Sequence, residues 1–368
     1  MRKSVLISIL CVSLVLLGAS SALAFHDEGV ARCSGCHTIH NSQNDSTMSF
    51  APGPGPHTDL LRASTPTDVC LSCHGTSTSR GVWGTLVQGT PFTYNEHGAG
   101  NFAYNNATNI NDAISGGSGL PGPPIMGYKA GHTPKTNTKG FPNGDPTPTM
   151  TQGPGGDFPS SQLGCTSCHD AHGNENFRLL NGVGEVQGDL EYLFVNPAPV
   201  ALGMPLSSST FETNSRHTAY KSGMSAWCAN CHGDFHQASG SPGLRHPSGE
   251  VMNSAAVTYD LYNGTGSING GNHSTAYLKE VPFEDLAADT NSTLGPTGIS
   301  QVSCVSCHRA HASANQDAGR WDFGLTFLNE DGQVSGWGNI NPWAGQAWEQ
   351  RSLCNKCHKK DQYDALNP

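Results

Sequence analysis

Charge is scarce in this sequence: Lys, Arg, Asp and Glu supply 13% of its residues, about half of the ~25% found in ordinary soluble domains. Apolar residues are scarce too. They make up 36%, against roughly 45–50% with Gly included in an average chain, so side chains alone are a weak source of core and something else is expected to fill the interior. Long helices and strands are discouraged by 45 Gly and 23 Pro. Beyond the first 24 residues no run is apolar enough to span a bilayer. Those first residues read as a signal peptide. Arg2 and Lys3 form a positive start, Val5 to Leu17 an apolar run and Ala22-Leu23-Ala24 a cleavage site, so the mature chain is expected to begin at Phe25. Loss of Arg2 and Lys3 leaves 17 basic against 29 acidic residues, a formal charge of −12, which argues against nucleic acid and anionic membrane surfaces as partners.

Cysteine is abundant. Of 13 cysteines, Cys11 lies in the discarded segment and the other twelve all fall into Cys-x-x-Cys-His motifs. The six motifs are Cys33/Cys36/His37, Cys70/Cys73/His74, Cys165/Cys168/His169, Cys228/Cys231/His232, Cys304/Cys307/His308 and Cys354/Cys357/His358. Two thiols three residues apart on one turn can form thioethers with both vinyl groups of a haem, and the adjacent His then reaches its iron. A disulfide framework would not require His after every second Cys. Zinc sites would each need a further ligand, and a thioredoxin-like redox pair does not come in sixes. Six covalent haems c, numbered here in motif order, are the expected cofactors.

Each iron has a second axial position. Of 17 histidines, six are proximal and eleven remain for it: His26, His40, His57, His97, His132, His172, His217, His236, His246, His273 and His311. Bis-histidine ligation throughout is therefore within reach. His40, His172 and His311 each lie three residues after a proximal His, and residues i and i+3 of a helical turn project from the same side. The distal ligand must approach from the opposite porphyrin face, so none of the three can serve its own haem, but each can reach a neighbouring one. His236, at i+4 from His232, ranks below them.

The motifs begin at unequal intervals, and no strict internal repeat is evident. The fold is expected to be mostly irregular with short α-helices at the motifs and minimal β structure, a single unit over 25–368 organised around six stacked haems. Residues 25–80 would carry haems 1 and 2, 161–240 haems 3 and 4, and 241–368 haems 5 and 6. Between them, 81–160 is rich in Gly and Pro; Gly116-Gly117, Pro121-Gly122-Pro123-Pro124, Pro146 and Pro148 forbid long elements there. This stretch is expected to be ordered over haem faces, pinned by His97 and His132. A longer helix is predicted from Asn341 and Pro342 through the last motif towards Gln362, and another after Pro282, over Phe283-Glu284-Asp285-Leu286. Trp337, Trp343 and Trp348 are read as packing residues.

The motif contexts carry a resemblance. Phe25-His26, Cys33-Ser34-Gly35-Cys36-His37-Thr38-Ile39-His40-Asn41-Ser42 and Cys168-His169-Asp170-Ala171-His172-Gly173 resemble segments of the OmcS-type hexahaem outer-surface cytochromes of metal-reducing bacteria. So do Gly223-Met224-Ser225-Ala226-Trp227-Cys228-Ala229-Asn230-Cys231-His232, Leu244-Arg245-His246-Pro247, Cys307-His308-Arg309-Ala310-His311-Ala312 and Leu353-Cys354-Asn355-Lys356-Cys357-His358. The resemblance implies head-to-tail polymerisation into extracellular filaments that carry electrons to metal oxides, electrodes or partner cells, fed by upstream periplasmic or outer-membrane cytochromes. It also implies that His40 ligates haem 5 of a neighbouring subunit. His57, His217 and His273 have no counterpart in it.

The preferred distal ligands are His40, in a neighbouring subunit, with His97, His132, His172, His246 and His311. His26 and His236 are held in reserve. His246 is favoured over His236 because Pro247 holds its backbone extended. The expected function is extracellular electron transfer without catalysis. The alternatives are a multihaem reductase of the nitrite or hydroxylamine type with one open iron, and a monomeric periplasmic shuttle. None of the six motifs is altered in the way such reductases often alter one.

Overall fold

The computed structural model describes residues 32–50, 55, 57–75, 81–85, 98–110, 125–185, 192–204, 212–236, 246, 248–262, 270–330 and 352–358. Regular structure among them is confined to short pieces, as the composition requires. The helices are α1 (Cys33–Cys36), α2 (Pro66–His74), α3 (Cys165–Cys168), α4 (Met224–Cys228), α5 (Ala255–Leu261) and α6 (Cys304–Cys307). Four two-stranded antiparallel ribbons join β1 (Ser42–Gln43) to β2 (Ser46–Thr47), β3 (Gly184–Glu185) to β4 (Leu193–Phe194), β5 (Val200–Leu202) to β6 (Ala219–Ser222), and β7 (Glu250–Val251) to β8 (Gln301–Val302). Among the described residues no helix is long and apolar enough to cross a membrane.

Five of the helices carry Cys-x-x-Cys thiols, and their brevity has a local cause. At His37, His169 and His308 the backbone turns extended, with ψ of 153°, 133° and 154°, so the helix stops where the imidazole begins. α3 and α6 start in the same way, the Gly164 and Ser303 backbone N–H groups donating to the hydroxyls of Ser167 and Ser306 three residues on. α2 is longer because Thr65 caps it, accepting from the Asp68 N–H, and Pro66 occupies its first turn.

Two helix expectations are corrected. After Pro282 there is no helix: Glu284 and Gln301 exchange both backbone hydrogen bonds, and Asp285 N–H donates to the Tyr220 carbonyl, so the segment is drawn out as an extended edge. The last motif sits on a 3-10 turn, Leu353–Lys356, rather than inside a continuous α-helix. The start of that predicted helix at Asn341, the three tryptophans before it, and the predicted signal peptide lie outside the described residues.

The described parts of the Gly/Pro-rich stretch are ordered by hydrogen bonds to distant segments. Asp68 of α2, buried at 3% exposure, accepts from the hydroxyls of Thr136 and Thr138 at 2.6 and 2.7 Å and from the backbone N–H groups of Asn137 and Thr138. Burial alone would raise its pKa, but the donors from Thr136, Thr138 and Asn137 outweigh it and hold the carboxyl below its ordinary value. A depressed carboxylate stabilises the fold above its unfolded pKa, and the gain disappears as pH falls through the folded value. Asp68→Asn, which turns an amide donor towards these donors, is expected to cost about 2–3 kcal/mol near neutral pH. In denaturant titrations of parent and variant the gap should close as pH falls through the depressed folded pKa of Asp68.

The buried apolar side chains form three separate clusters. Met252, Tyr259, Tyr262, Tyr277, Phe283 and Trp321 lead the first, Trp83, Phe102, Tyr104 and Ile110 the second, and Tyr220, Met224 and Val305 the third. Motif thiols pack against two of them, Cys307 and Cys357 on the first and Cys228 on the third.

Candidate functional site

The first, third and fifth motifs are built on one plan that the motif spacing conceals. In each, the residue after the proximal His donates its N–H to a carbonyl across a tight turn: Thr38 to Leu60, Asp170 to Leu179 and Arg309 to Ala318, at 2.7–2.8 Å. The second Cys carbonyl accepts the N–H of Arg62, Asn181 or Arg320. The turn holds two consecutive non-glycine residues in the left-handed region: Asp59 and Leu60, Arg178 and Leu179, Asp317 and Ala318, with φ between 53° and 58°. Each costs on the order of 1 kcal/mol. The strain places one carbonyl under each proximal imidazole. His37 Nδ1–H donates to Asp59 O at 2.9 Å, His169 Nδ1–H to Arg178 O at 2.8 Å and His308 Nδ1–H to Asp317 O at 2.8 Å. A carbonyl only accepts, so the proton stays on Nδ1 and the Nε2 lone pair is left for a metal. His232 is fixed likewise on Pro154 O at 2.7 Å, and His132 on Ala310 O at 2.8 Å.

Four proximal imidazoles, two from these modules and two from the remaining motifs, meet a second histidine ring. His172 lies parallel to His37 with ring centroids 6.4 Å apart, His311 faces His169 at 6.4 Å, His132 faces His232 at 5.9 Å, and His246 faces His358 at 6.2 Å. Two imidazoles bonded trans to one iron at about 2 Å each hold their centroids about 6 Å apart. The four pairs fit that demand. Burial lowers the pKa of His169, His246 and His308, and burial with the nearby His232 takes His132 down to about 4. Neutral imidazole is the ligating form.

The same backbone that orders the Gly/Pro-rich stretch aims two of these rings. Residues 98–101 and 130–133 run on either side of the segment after α6: Asn101 N–H donates to Ala312 O, His311 N–H to Ala99 O and His132 N–H to His311 O. Gly131, with φ of 156°, leaves no room for a side chain, since a Cβ there would meet the His311 carbonyl at 2.3 Å. Phe102 stacks on His311, its ring centroid 4.3 Å away.

Burial pushes Cys168, Cys231 and Cys307 up to about 12 and Cys357 up to about 11, away from the thiolate that a zinc site requires, while hydrogen bonds from Cys70 and Cys228 lower Cys165 and Cys304. The twelve motif cysteines carry no disulfide. Their neighbours also give an order. Cys36 feels Cys70 and Cys73, Cys70 hydrogen-bonds Cys165, Cys168 feels Cys231, Cys228 hydrogen-bonds Cys304, and Cys307 feels Cys354 and Cys357. The motifs therefore follow one another in space in the order of the sequence.

The other histidines divide by what their nitrogens do. His217 is buried, stacked on Tyr277 at 3.6 Å, and both of its nitrogens face backbone carbonyls, Nδ1 that of Thr218 and Nε2 that of Ser292, so neither is turned towards a metal. His273 Nδ1 lies 3.0 Å from a carboxylate oxygen of Asp260, and His236 Nδ1 is 3.4 Å from the Ser248 hydroxyl. His57 Nε2 is buried without a hydrogen-bond partner. His40 is exposed. His26 and His97 lie outside the described residues. No second histidine ring is brought opposite His308 among the described residues, where Phe323 packs edge-on at 5.4 Å.

The module plan was missed in the sequence because the first left-handed residue follows its proximal His by 22 positions in the first module, where β1 and β2 intervene, but by nine in the third and fifth. A signal was available: His169-Asp170-Ala171-His172 and His308-Arg309-Ala310-His311 are each followed by Asn seven residues after the proximal His, at Asn176 and Asn315.

No family model matches the chain. Its sequence is 29% identical to the C-type cytochrome OmcS of Geobacter sulfurreducens, over 98% of this chain and 100% of that protein. Its fold superposes on the cryo-EM structure of the OmcS nanowires from that organism with a TM-score of 0.73 and 28% identity, covering 92% of this chain and 100% of that one. A second structure, the Outer Membrane Cytochrome S filament from the same organism, gives a TM-score of 0.71 and 27% identity over the same shares. The chain is a homologue of the C-type cytochrome OmcS and has its fold.

Proposed function

We propose that the chain binds six haems c at its Cys-x-x-Cys-His motifs, conducts electrons along them, and polymerises head to tail into an extracellular filament. The observation that carries the reading is the offset between modules. The i+3 histidine of the third module faces the proximal His of the first, and that of the fifth faces the proximal His of the third. Continued by one step, the rule pairs His40 of the first module with His308 of the fifth, and only a second copy of the chain can supply the missing module. A contact that repeats without closing generates a filament.

In this assignment His37, His74, His169, His232, His308 and His358 are proximal ligands. Their distal partners are His172 for haem 1, His311 for haem 3, His132 for haem 4, His246 for haem 6, and His40 of a neighbouring copy for haem 5. His97 is the remaining expectation for haem 2. Bound haem supplies one-electron iron chemistry at low potential. The imidazoles on both faces fix the coordination and exclude small ligands, and the backbone carbonyls behind their Nδ1–H groups keep each ring from turning. Electron transfer, not a reaction on substrate, is what such capped sites support. The filament would lie at the cell outer surface, receiving electrons from other cytochromes and delivering them to external acceptors.

The reading is tested on the exported protein by intact mass, visible spectrum and electron microscopy. A mass excess of six haems, a low-spin c-type spectrum and filaments are expected. A polypeptide-only mass would remove the cofactors, and monomers alone would reduce the protein to a soluble shuttle. Cyanide added to the oxidised filament should leave the spectrum unchanged, whereas rapid high-spin ligand binding at one site would favour a reductase.

A further inference from the structure

The modules hold Arg, Asn and Arg at one equivalent position, just past the left-handed turn. There Arg62, Asn181 and Arg320 all cap the carbonyls of their motif helix. Arg62 Nη1 donates to Ser34 O and Gly35 O, Asn181 Nδ2 to Thr166 O and Ser167 O, and Arg320 Nε to Val305 O at 2.6 Å and His308 O at 3.3 Å. The neutral amide of Asn181 performs the cap, so capping does not require a charge. The charges that are present are not equal. Arg62 is half-buried and Arg178, beside the third module, is exposed, so water screens both. Arg320 is 1% exposed, in surroundings where a charge acts at much greater strength.

Of the three cations in its cluster, Arg320 is the one that stands beside no carboxylate among the described residues. Lys279 is ion-paired with Glu280, and Arg309 lies 3.9 Å from Glu212. Arg320 instead directs its donors at neutral oxygens: Val305 O, His308 O, Lys279 O at 3.0 Å, Gly98 O at 3.5 Å and the Tyr220 phenol. Among the described residues no carboxylate stands within ion-pair distance of it, although the field of Glu212 reaches it. The three cations and two carboxylates of this cluster leave one positive charge. That charge lies against the adjoining motif, the Arg320 Nε–H reaching the Val305 and His308 carbonyls and its backbone N–H the Cys307 carbonyl.

We propose that Arg320 sets the reduction potential of the haem attached at Cys304 and Cys307, holding it above the value that the same bis-imidazole site would have beside a neutral cap. Reduction adds an electron to the iron, and a fixed buried cation close to the site favours the state that carries it. The first and third modules lack an equivalent buried charge. The fifth is therefore the module on which an added electron rests longest, and by the offset rule it is also the one that meets the next copy.

The proposal rests on the six-haem reading and is tested by potentiometric titration of the intact, haem-loaded protein, followed by its visible absorbance, for the parent, Arg320→Gln and Glu212→Gln. Arg320→Gln keeps a capping amide and removes the charge. It is expected to lower one of six midpoints, reducing the ratio of reduced to oxidised haem at that site about tenfold at fixed potential, a ~59 mV shift for one electron. Arg320→Lys should restore most of it. Glu212→Gln removes a neighbouring negative charge and should move the same midpoint the other way. Six midpoints in Arg320→Gln and Glu212→Gln that superimpose on the parent would overturn the proposal, even with lowered thermal stability, because a purely structural cap changes stability and not potential. If Arg320→Gln does not assemble, Glu212→Gln decides alone. Haem content measured on the same samples separates the two failures: fewer than six haems defeats the cofactor reading, while six haems with unmoved midpoints defeats the role of Arg320.

Discussion

His40→Ala is expected to yield a protein that carries all six haems and forms no filaments. The side chain is exposed and belongs to the first module, and among the described residues no earlier module offers a proximal imidazole for it to face. Its removal therefore leaves every intrachain pair intact and takes away one ligand between copies. Surface contacts between protein chains depend on many weak terms, whereas a metal–imidazole bond across each joint would be a single strong one. Loss of polymer should accordingly be near complete at concentrations where the parent is fully assembled, with haem content unchanged. The dispersed variant should also show one high-spin iron that binds cyanide, since His308 would have no distal partner. Negative-stain microscopy and the cyanide difference spectrum check the two halves. Filaments of parental length in the variant would remove His40 from the joint.

The second large effect is expected within the chain. His132→Ala should convert one iron in six from low-spin to high-spin and open it to cyanide, because the His132 ring faces His232 at 5.9 Å and its Nδ1–H is fixed on Ala310 O. It should also loosen the Gly/Pro-rich stretch. His132 is one of the points at which residues 125–159 reach the segment after α6, beside Ala130 and Gly131, and losing a ligand bond and a buried hydrogen bond together is expected to cost several kcal/mol. Proteolysis of the variant should begin within 125–159, away from parental sites. His217→Phe is the matching control. Both nitrogens of His217 are engaged by the carbonyls of Thr218 and Ser292, so its loss should lower stability and leave all six irons low-spin.

The sequence showed the sites better than it showed what joins them. Twelve thiols and six proximal imidazoles follow from a five-residue pattern whose chemistry is local. The i+3 placement of His172 and His311 is also local, and it implies only that each points away from the haem of its own motif. Which haem receives it depends on packing between modules separated by more than a hundred residues, and no short window contains that. The predicted helix after Pro282 failed for the same reason. Phe283-Glu284-Asp285-Leu286 has a helical first turn by composition, but Glu284 pairs with Gln301 and Asp285 with Tyr220, partners that propensity cannot see. The left-handed pairs were hidden because Leu60, Arg178 and Ala318 are residues for which a positive φ is unfavourable, so nothing in their identity announces it. His217 looked like any spare histidine until both of its neighbours were known.

The division of the apolar interior into three patches has a consequence for how the protein comes into being. Each patch is small, and motif thiols sit at the margins of two of them, so the bare polypeptide has little to set against the entropy of ordering a chain this rich in glycine. It should emerge from export as an open strand with its thiol pairs within reach of the attachment machinery. Haem attachment would then precede collapse, and each newly bonded group would give the next stretch of backbone something to close upon.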